Sequence, residues 1–346
     1  MSREREAKQT RRPAAGFTLI ELLVVISIIA VLLAMLLPSL VGARRTGQRV
    51  ACLATLRGIV QGMQEYAGDN DDWPVGAPGG SGVYLAGQPA AFGPAVQRFD
   101  FIGPLAHQWD FGLYKPDLGD ITGVYRRFNE LRSHDAFLCA GNTFLAGSYG
   151  AVDAGVGWMV SYNTSRYQMW IRTDGAGNGI DLYGNEHEEK LPDNWRPSTL
   201  RIGVPANKIF CADGSRYADA DTPPDYDLSV GGAWGGAFSD SAPYAGSSFH
   251  SKSWDRRRAP GNGGSSSIDA RIYAYRHSTA EPNVGAAANA YKANFAFYDG
   301  HVETMGDLQS ANPQYWLPLG GKLDDTNTLP DVKAHYGISG TISIGP

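Results

Sequence analysis

The chain has 346 residues, 43% of them hydrophobic and 19% charged, and its 17 Tyr, 13 Phe and 8 Trp exclude wholesale disorder. Its 43 glycines follow no G-X-Y period, which excludes collagen and argues for a loop-rich β fold over a helical bundle. A net charge of −5 provides no basic field to release counterions from a phosphate backbone, so no nucleic acid is expected as a partner.

Residues 1–16 form a short basic leader, with Arg3, Arg5, Lys8, Arg11 and Arg12 set against Glu4 and Glu6. The next stretch, Phe17–Leu37, is apolar except for Glu21, and its 21 residues span roughly 31 Å as a helix, about one hydrocarbon core. One membrane-spanning helix is predicted, in contact with membrane lipid. The leader cations keep the N-terminus cytoplasmic and send the bulk of the chain out of the cytoplasm. A secretory signal carries its small-residue cleavage site after the apolar stretch, whereas here Ala14, Ala15 and Gly16 precede it. Glu21 is the second departure, because a carboxylate inside a lipid-embedded helix is costly and calls for a cationic partner.

The run Gly16-Phe17-Thr18-Leu19-Ile20-Glu21 resembles the signature of the type IV pilin and pseudopilin family. The resemblance implies that a prepilin peptidase cuts between Gly16 and Phe17, that Phe17 is then N-methylated, and that the helix stays in the mature chain. It further implies that Glu21 meets the N-terminal amine of a neighbouring pilin or pseudopilin subunit, extracted from an inner-membrane assembly platform. Without the leader, 330 residues remain at a net charge of −8. In the competing reading Glu21 belongs to an isolated anchor and reaches for the headgroups.

Pro38 and Gly42 predict a kink or local melting just past the apolar core. Beyond them Val50, Leu53, Leu56, Val60, Met63 and Ala67, flanked by Cys52, Ile59 and Tyr66, recur at helical spacing. They predict an amphipathic helix that docks one face on a globular domain and ends near residue 67, before the Gly68–Pro74 stop signal. The segment Cys52-Leu53-Ala54-Thr55-Leu56-Arg57, with Tyr66 and Pro74, also resembles prepilin-like proteins of planctomycete-type bacteria. Residues 75–135 are read as short strands and loops.

Two runs echo each other, Ala136–Ala140 around Cys139 and Lys208–Ala212 around Cys211. A Cys139–Cys211 disulfide enclosing 71 residues would stabilise the fold by roughly 4 kcal/mol in an oxidising compartment. The alternative is three buried free thiols, and Cys52 is expected to be one in either case. Because no Cys-x-x-Cys occurs, structural zinc is not expected. Strands are predicted at Gly157–Tyr162, Leu200–Val204 and Arg271–Tyr275. Residues 228–268, including Arg256 to Arg258, read as a long surface loop.

Near the C-terminus, Asn294–Glu303 predicts a hairpin with a two-residue type I′ turn at Asp299-Gly300. In that register Phe297 opposes Val302 on a buried face shared with Phe295, while Tyr298, His301 and Glu303 occupy the other. The region resembles the H-X9-DG element of prepilin-like processing-associated proteins through Arg276-His277 and Asp299-Gly300-His301-Val302. The spacing differs, with 21 residues between His277 and Asp299 and the excess of 12 placed at Glu281–Ala293. A catalytic or metal-binding role would require His277, Asp299 and His301 to converge. The structural role is that His277 pins the sheet end by a hydrogen bond to the hairpin backbone while Asp299 shapes the turn. The structural role is the expectation, with no catalytic residue and no metal ligand.

The acidic stretches Asp69–Asp72 and Asp213–Asp227 suggest calcium as the one candidate cofactor, but neither has alternating ligands closed by a Glu. Gly-x-Ser-x-Gly, His-Glu-x-x-His and Walker motifs are absent. The expected fold is α+β: a long N-terminal helix, transmembrane in its first half, packed by its second half on an antiparallel β-sheet domain with long loops. The expected function is a structural subunit, not an enzyme, of a type II secretion or type IV pilus-like assembly. Its rival is a singly anchored periplasmic enzyme or glycan-binding protein that borrows the leader for targeting.

Overall fold

The computed structural model describes residues 18–75, 101–112, 130–131, 134–142, 145–146, 157–158, 161–165, 189–192, 195–214, 238–239, 242–244, 273–278 and 288–346. The leader, Phe17 and most of the 228–268 region lie outside them, as do the acidic residues 215–227. The chain divides into two compact units, Met1–Gly47 and Gln48–Pro346.

Helix α1 runs from Leu19 to Asp69 and crosses that division. Its first part exposes an apolar side chain in every direction, from Leu19, Ile20 and Leu22 through Leu36, Leu37 and Val41. Among the described residues, α1 is the one helix long and apolar enough to cross a membrane. The hydroxyls within this part bond back onto the helix, Ser27 Oγ to Val24 O at 2.7 Å and Ser39 Oγ to Leu36 O at 2.8 Å. Neither of these hydroxyls is left needing water, as a hydrocarbon environment demands. The break predicted at Pro38 and Gly42 does not occur, since the helix continues through both residues. Pro38 removes one backbone donor, a loss that long apolar helices tolerate where nearby hydroxyls take up freed carbonyls.

In the second unit α1 buries Cys52, Leu56, Ile59, Val60, Gly62, Met63 and Ala67. The predicted stripe is thus rotated: Cys52, Leu56, Ile59 and Met63 mark its centre, and Val50 faces outward. Gly62 lets the helix approach an indole closely, because a Cβ there would lie 2.4 Å from Trp109 Cζ2. Trp109 closes a short helix, Ile102–Gln108, in a region read from sequence as strands and loops.

The strands in chain order are β1 (Leu145–Ala146), β2 (Gly157–Trp158), β3 (Tyr162–Ser165), β4 (Glu189–Lys190), β5 (Ile209–Asp213), β6 (Phe238–Ser239), β7 (Lys292–Phe297), β8 (Val302–Gly306), β9 (Lys322–Leu323) and β10 (Ile342–Ser343). The main sheet has the order β6-β3-β5-β7-β8. Its four longer strands are antiparallel, with Thr164 opposite Cys211 and Ala212 opposite Phe295, and the short β6 adds to the β3 edge in parallel. β1 pairs with β2, and β10-β9-β4 form a small third sheet. The fold is therefore α+β, as its composition and periodicity imply.

Two predicted strands are corrected. Leu200–Val204 is a turn leading into a 3-10 helix at Pro205–Asn207, because Gly203 adopts φ +113°. Tyr273–Tyr275 lies outside any strand; Ala274 N donates to Asp213 O at 2.9 Å, and the next residue, Arg276, forms a bridge with Lys292. Both segments are apolar because they are buried: Ile202, Tyr273 and Tyr275 are all inaccessible. Tyr273 packs edge-on to Trp316 at 4.9 Å between ring centroids, and Phe295 meets the same indole at 6.2 Å.

Candidate functional site

The start of α1 is defined by three hydrogen bonds between two residues. Thr18 N and Thr18 Oγ1 donate to Glu21 Oε2 at 2.9 and 2.7 Å, and Glu21 N donates to Thr18 Oγ1 at 3.2 Å. This is a capping box, in which Thr18 is the N-cap and Glu21 returns from the third helical position. The Thr-Leu-Ile-Glu run therefore specifies where the helix begins as well as carrying a charge, a role not read from the sequence. Among the described residues no cation pairs with Glu21. Gly16 and Phe17, the predicted processing site, lie outside the described residues.

A second constellation is buried beneath α1. Cys52 and Cys139 form a disulfide, with Cα atoms 4.9 Å apart, and Cys211 is a buried free thiol. The predicted Cys139–Cys211 bridge is thus corrected. The echo between the two cysteine runs is only local: Asp135–Phe137 is a 3-10 turn that brings Cys139 to the helix, while Cys211 sits mid-sheet between Thr164 and Ala296. Burial, with Asp213 adding to it, raises the pKa of the Cys211 thiol well above its usual value.

His277 lies against this disulfide. Its Nε2 is 3.5 Å from Cys139 Sγ and 3.2 Å from Asp213 Oδ2, and its side chain is 2% exposed beside an inaccessible Asp213. Asp213 Oδ2 also accepts from Asn294 N at 2.6 Å, while Asp213 Oδ1 is buried and, among the described residues, has no hydrogen-bond partner. The His277 backbone donates to Lys292 O at 3.0 Å, and Ser278 Oγ accepts from Lys292 N at 2.8 Å. The ends of the extra residues between His277 and the hairpin are thereby tied together at the start of β7. His277 is thus joined to the sheet by its backbone and, through its imidazole, to Asp213.

Asp299, Gly300 and His301 are elsewhere, at the tip of the hairpin, and do not converge with His277. The tip differs from the predicted two-residue type I′ turn. Phe297 N donates to His301 O and Gly300 N to Phe297 O, both at 3.0 Å, so three residues form the loop, and Gly300 alone among them has positive φ, at +95°. Type I′ needs positive φ at both central residues, whereas a type I turn closed by a left-handed glycine needs it only at Gly300. The extra loop residue shifts the register by one: Ala296 opposes Val302 and Phe295 opposes Glu303. The face assignment therefore changes. His301 stacks on Phe297 with ring centroids 4.1 Å apart, and its Nδ1 meets Asp299 Oδ1 at 2.6 Å. Asp299 Oδ1 also accepts from His301 N at 3.1 Å, within the turn.

The acidic stretch Asp69–Asp72 terminates α1 in left-handed conformations at Asp71 and Asp72, and Asp72 O accepts from Thr199 N at 2.9 Å. Among the described residues, the group of His, Cys, Asp or Glu close enough to share an ion is instead Cys52, Cys139 and His277.

Lys208, at the entry to β5, is inaccessible and donates from Nζ to Gln314 O at 2.7 Å and Leu317 O at 2.9 Å. Burial lowers its pKa to about 8. An unfolded lysine titrates near 10.4, so between about pH 8 and 10 the unfolded chain holds a proton that the folded chain has released. Stability relative to Lys208→Met is therefore expected to rise from pH 8 to 10. Denaturant midpoints of the two proteins in detergent check this; a wild-type midpoint that falls or stays level relative to the variant's as the pH rises contradicts it. Above pH 10, Tyr298 acts in the opposite sense, because burial raises its pKa.

Residues 11–37 match the family described as the prokaryotic N-terminal methylation motif. The N-terminal segment of this chain thus carries that methylation motif, and it is similar to the start of a type IV pilin. Over 62 residues the chain is 45% identical to the type IV wide pilus major component PilA4 of Thermus thermophilus, a match covering 18% of this chain and 47% of that protein. The chain thus spans about half the length of that relative. No solved structure matches the chain.

Proposed function

We propose that this chain is a pilin- or pseudopilin-like structural subunit, cleaved between Gly16 and Phe17 by a prepilin peptidase and assembled with other such subunits in a type IV pilus-like or type II secretion-like filament. It is held first in the inner membrane, with its N-terminus cytoplasmic and its β domain outside the cytoplasm. The observation that carries this reading is the start of α1. A methylation motif leads into a helix whose first part is apolar on every side, and the one carboxylate of that part is held at the first turn by Thr18 with, among the described residues, no cation beside it. A charge in low dielectric without a counter-ion is costly. The new amine of a neighbouring subunit, released by cleavage, supplies the missing charge.

The β domain has a structural role in this reading. The H-X9-DG-like element ties the segment carrying His277 to β7, and the Asp299-Gly300-His301 turn meets α1 through Gln64 Nε2, which donates to Tyr298 O at 2.9 Å. The Gln64 contact fixes the amphipathic part of α1 to the hairpin tip and the His277 contact fixes its own segment to β7, and neither involves chemistry on a substrate.

The test is cross-linking in cells through an introduced Ile20→Cys. Oxidation is expected to give species larger than the monomer that contain a second copy or a sister pilin. A chain that remains monomeric while correctly inserted overturns the assembly reading in favour of a lone anchor.

A further inference from the structure

The buried cluster under α1 has a composition that a purely structural disulfide does not account for. A disulfide is neutral and requires no imidazole or carboxylate, yet His277 Nε2 contacts Cys139 Sγ, and an inaccessible Asp213, its Oδ1 unpartnered among the described residues, stands behind it. A buried carboxylate oxygen without a partner is expensive and marks a missing cation or donor. The backbone N–H of Gly141 also donates to Cys139 Sγ at 3.3 Å, a contact that favours a thiolate far more than a disulfide sulfur. Gly141 itself leaves room, since a Cβ there would sit 3.2 Å from His277 Cε1 and 3.6 Å from Cys139 Sγ.

Two of the distances match those of a tetrahedral zinc site. Tetrahedral zinc with bonds of about 2.3 Å to sulfur and 2.0 Å to nitrogen or oxygen has edges of about 3.5 Å between sulfur and nitrogen and about 3.3 Å between nitrogen and oxygen. The two corresponding distances here are 3.5 Å from Cys139 Sγ to His277 Nε2 and 3.2 Å from His277 Nε2 to Asp213 Oδ2. The ligand atoms of Cys52, Cys139 and His277 all lie within 4.8 Å of one another, whereas the Asp213 carboxylate lies beyond that reach of at least one of the two sulfurs and has to turn in to join them.

We propose that Cys52, Cys139, His277 and Asp213 form a zinc site when the two thiols are reduced, and that the disulfide is the oxidised form of the same site. A dithiol or phosphine reductant supplies two electrons to the disulfide, and two protons give the two thiols. Zinc then displaces both thiol protons, the sulfurs move apart to about 3.8 Å, the carboxylate turns in toward them, and with the imidazole it completes the tetrahedron. The four ligands come from α1, the turn after Asp135–Phe137, the end of β5 and the segment before β7, so no short spacing betrays them in the sequence. This proposal is independent of whether the chain assembles into a filament.

The test uses the full-length chain in detergent, reduced with a phosphine under anaerobic conditions and titrated with Co²⁺ as a spectroscopic substitute for Zn²⁺. The expected result is a thiolate-to-cobalt charge-transfer band with the visible bands of a tetrahedral ion, saturating at one equivalent and discharged by Zn²⁺. The oxidised chain should give none. Cys211→Ser should keep the spectrum, His277→Ala should lose it, and Asp213→Asn should weaken zinc affinity by on the order of 10- to 100-fold in chelator competition. Circular dichroism covers the case in which reduction loosens the fold: recovery of the native spectrum on adding Zn²⁺ supports the site. A reduced, folded chain without the charge-transfer band, a fold that zinc fails to restore, or a spectrum that depends on Cys211 overturns it.

Discussion

Glu21→Gln is expected to be cleaved and membrane-inserted like the wild type yet to fail almost completely to enter filaments. The choice of glutamine follows from the geometry at Thr18. Glu21 both caps the helix, through Oε2, and carries the charge. Glutamine keeps an oxygen able to accept from Thr18 N and so preserves the capping box, while removing the charge that a neighbouring amine would meet. Glu21→Ala removes both and serves as the comparison. Quantifying each variant in the sheared filament fraction, with the membrane fraction as control, separates the two roles. If Glu21→Gln assembles as well as wild type while Glu21→Ala does not, the residue serves helix initiation and the charge-pairing account of assembly is wrong.

The second large effect is on stability. Cys139→Ala in the oxidised protein removes a crosslink between residues 87 apart in sequence, worth about 4–5 kcal/mol on the chain-entropy estimate. Domains are commonly stable by about 5–15 kcal/mol, so this loss is a large share of the total. Cys52→Ala is expected to cost a similar amount, because either change opens the same loop. Cys211→Ala should cost only on the order of 1 kcal/mol, the effect of a small cavity in the sheet interior. Guanidinium midpoints under non-reducing conditions rank the three variants. If Cys211→Ala proves as damaging as Cys139→Ala, the pairing of Cys52 with Cys139 is wrong.

Much of the first unit is legible in the sequence because its signals are one-dimensional. An apolar run of fixed length, cations on one side and a contiguous motif around Phe17 need no knowledge of what packs against what. Even there, the three bonds joining Thr18 to Glu21 were hidden behind the more conspicuous charge. The amphipathic part of α1 was legible as a helix, but its buried stripe is centred one step away from the spacing pattern. Cys52 and Gly62 belong to that stripe: one carries a bond to Cys139, and the other admits the Trp109 ring.

The β domain was less legible, for physical reasons that can be traced to single residues. Leu200–Val204 has strand composition, yet one glycine at φ +113° turns the chain, and burial of Ile202 explains the apolar character. The hairpin was recognisable from Asp299-Gly300, but whether one or two of its residues take positive φ decides the loop length, and with it the face of every side chain from Phe295 to Glu303. The grouping of Cys52, Cys139, Asp213 and His277 was not legible at all, since it depends on a long-range arrangement of four separate segments. His277 was singled out by its likeness to a known element, and the structure supplies the neighbours that give it meaning.

The most direct measurement of the account is the mass of the N-terminal peptide from the native, membrane-derived protein. A chain beginning at N-methylated Phe17, with the α1 helix still attached, is the predicted result. An intact Met1, or a first residue beyond Ala34 that leaves the apolar helix behind, would contradict it.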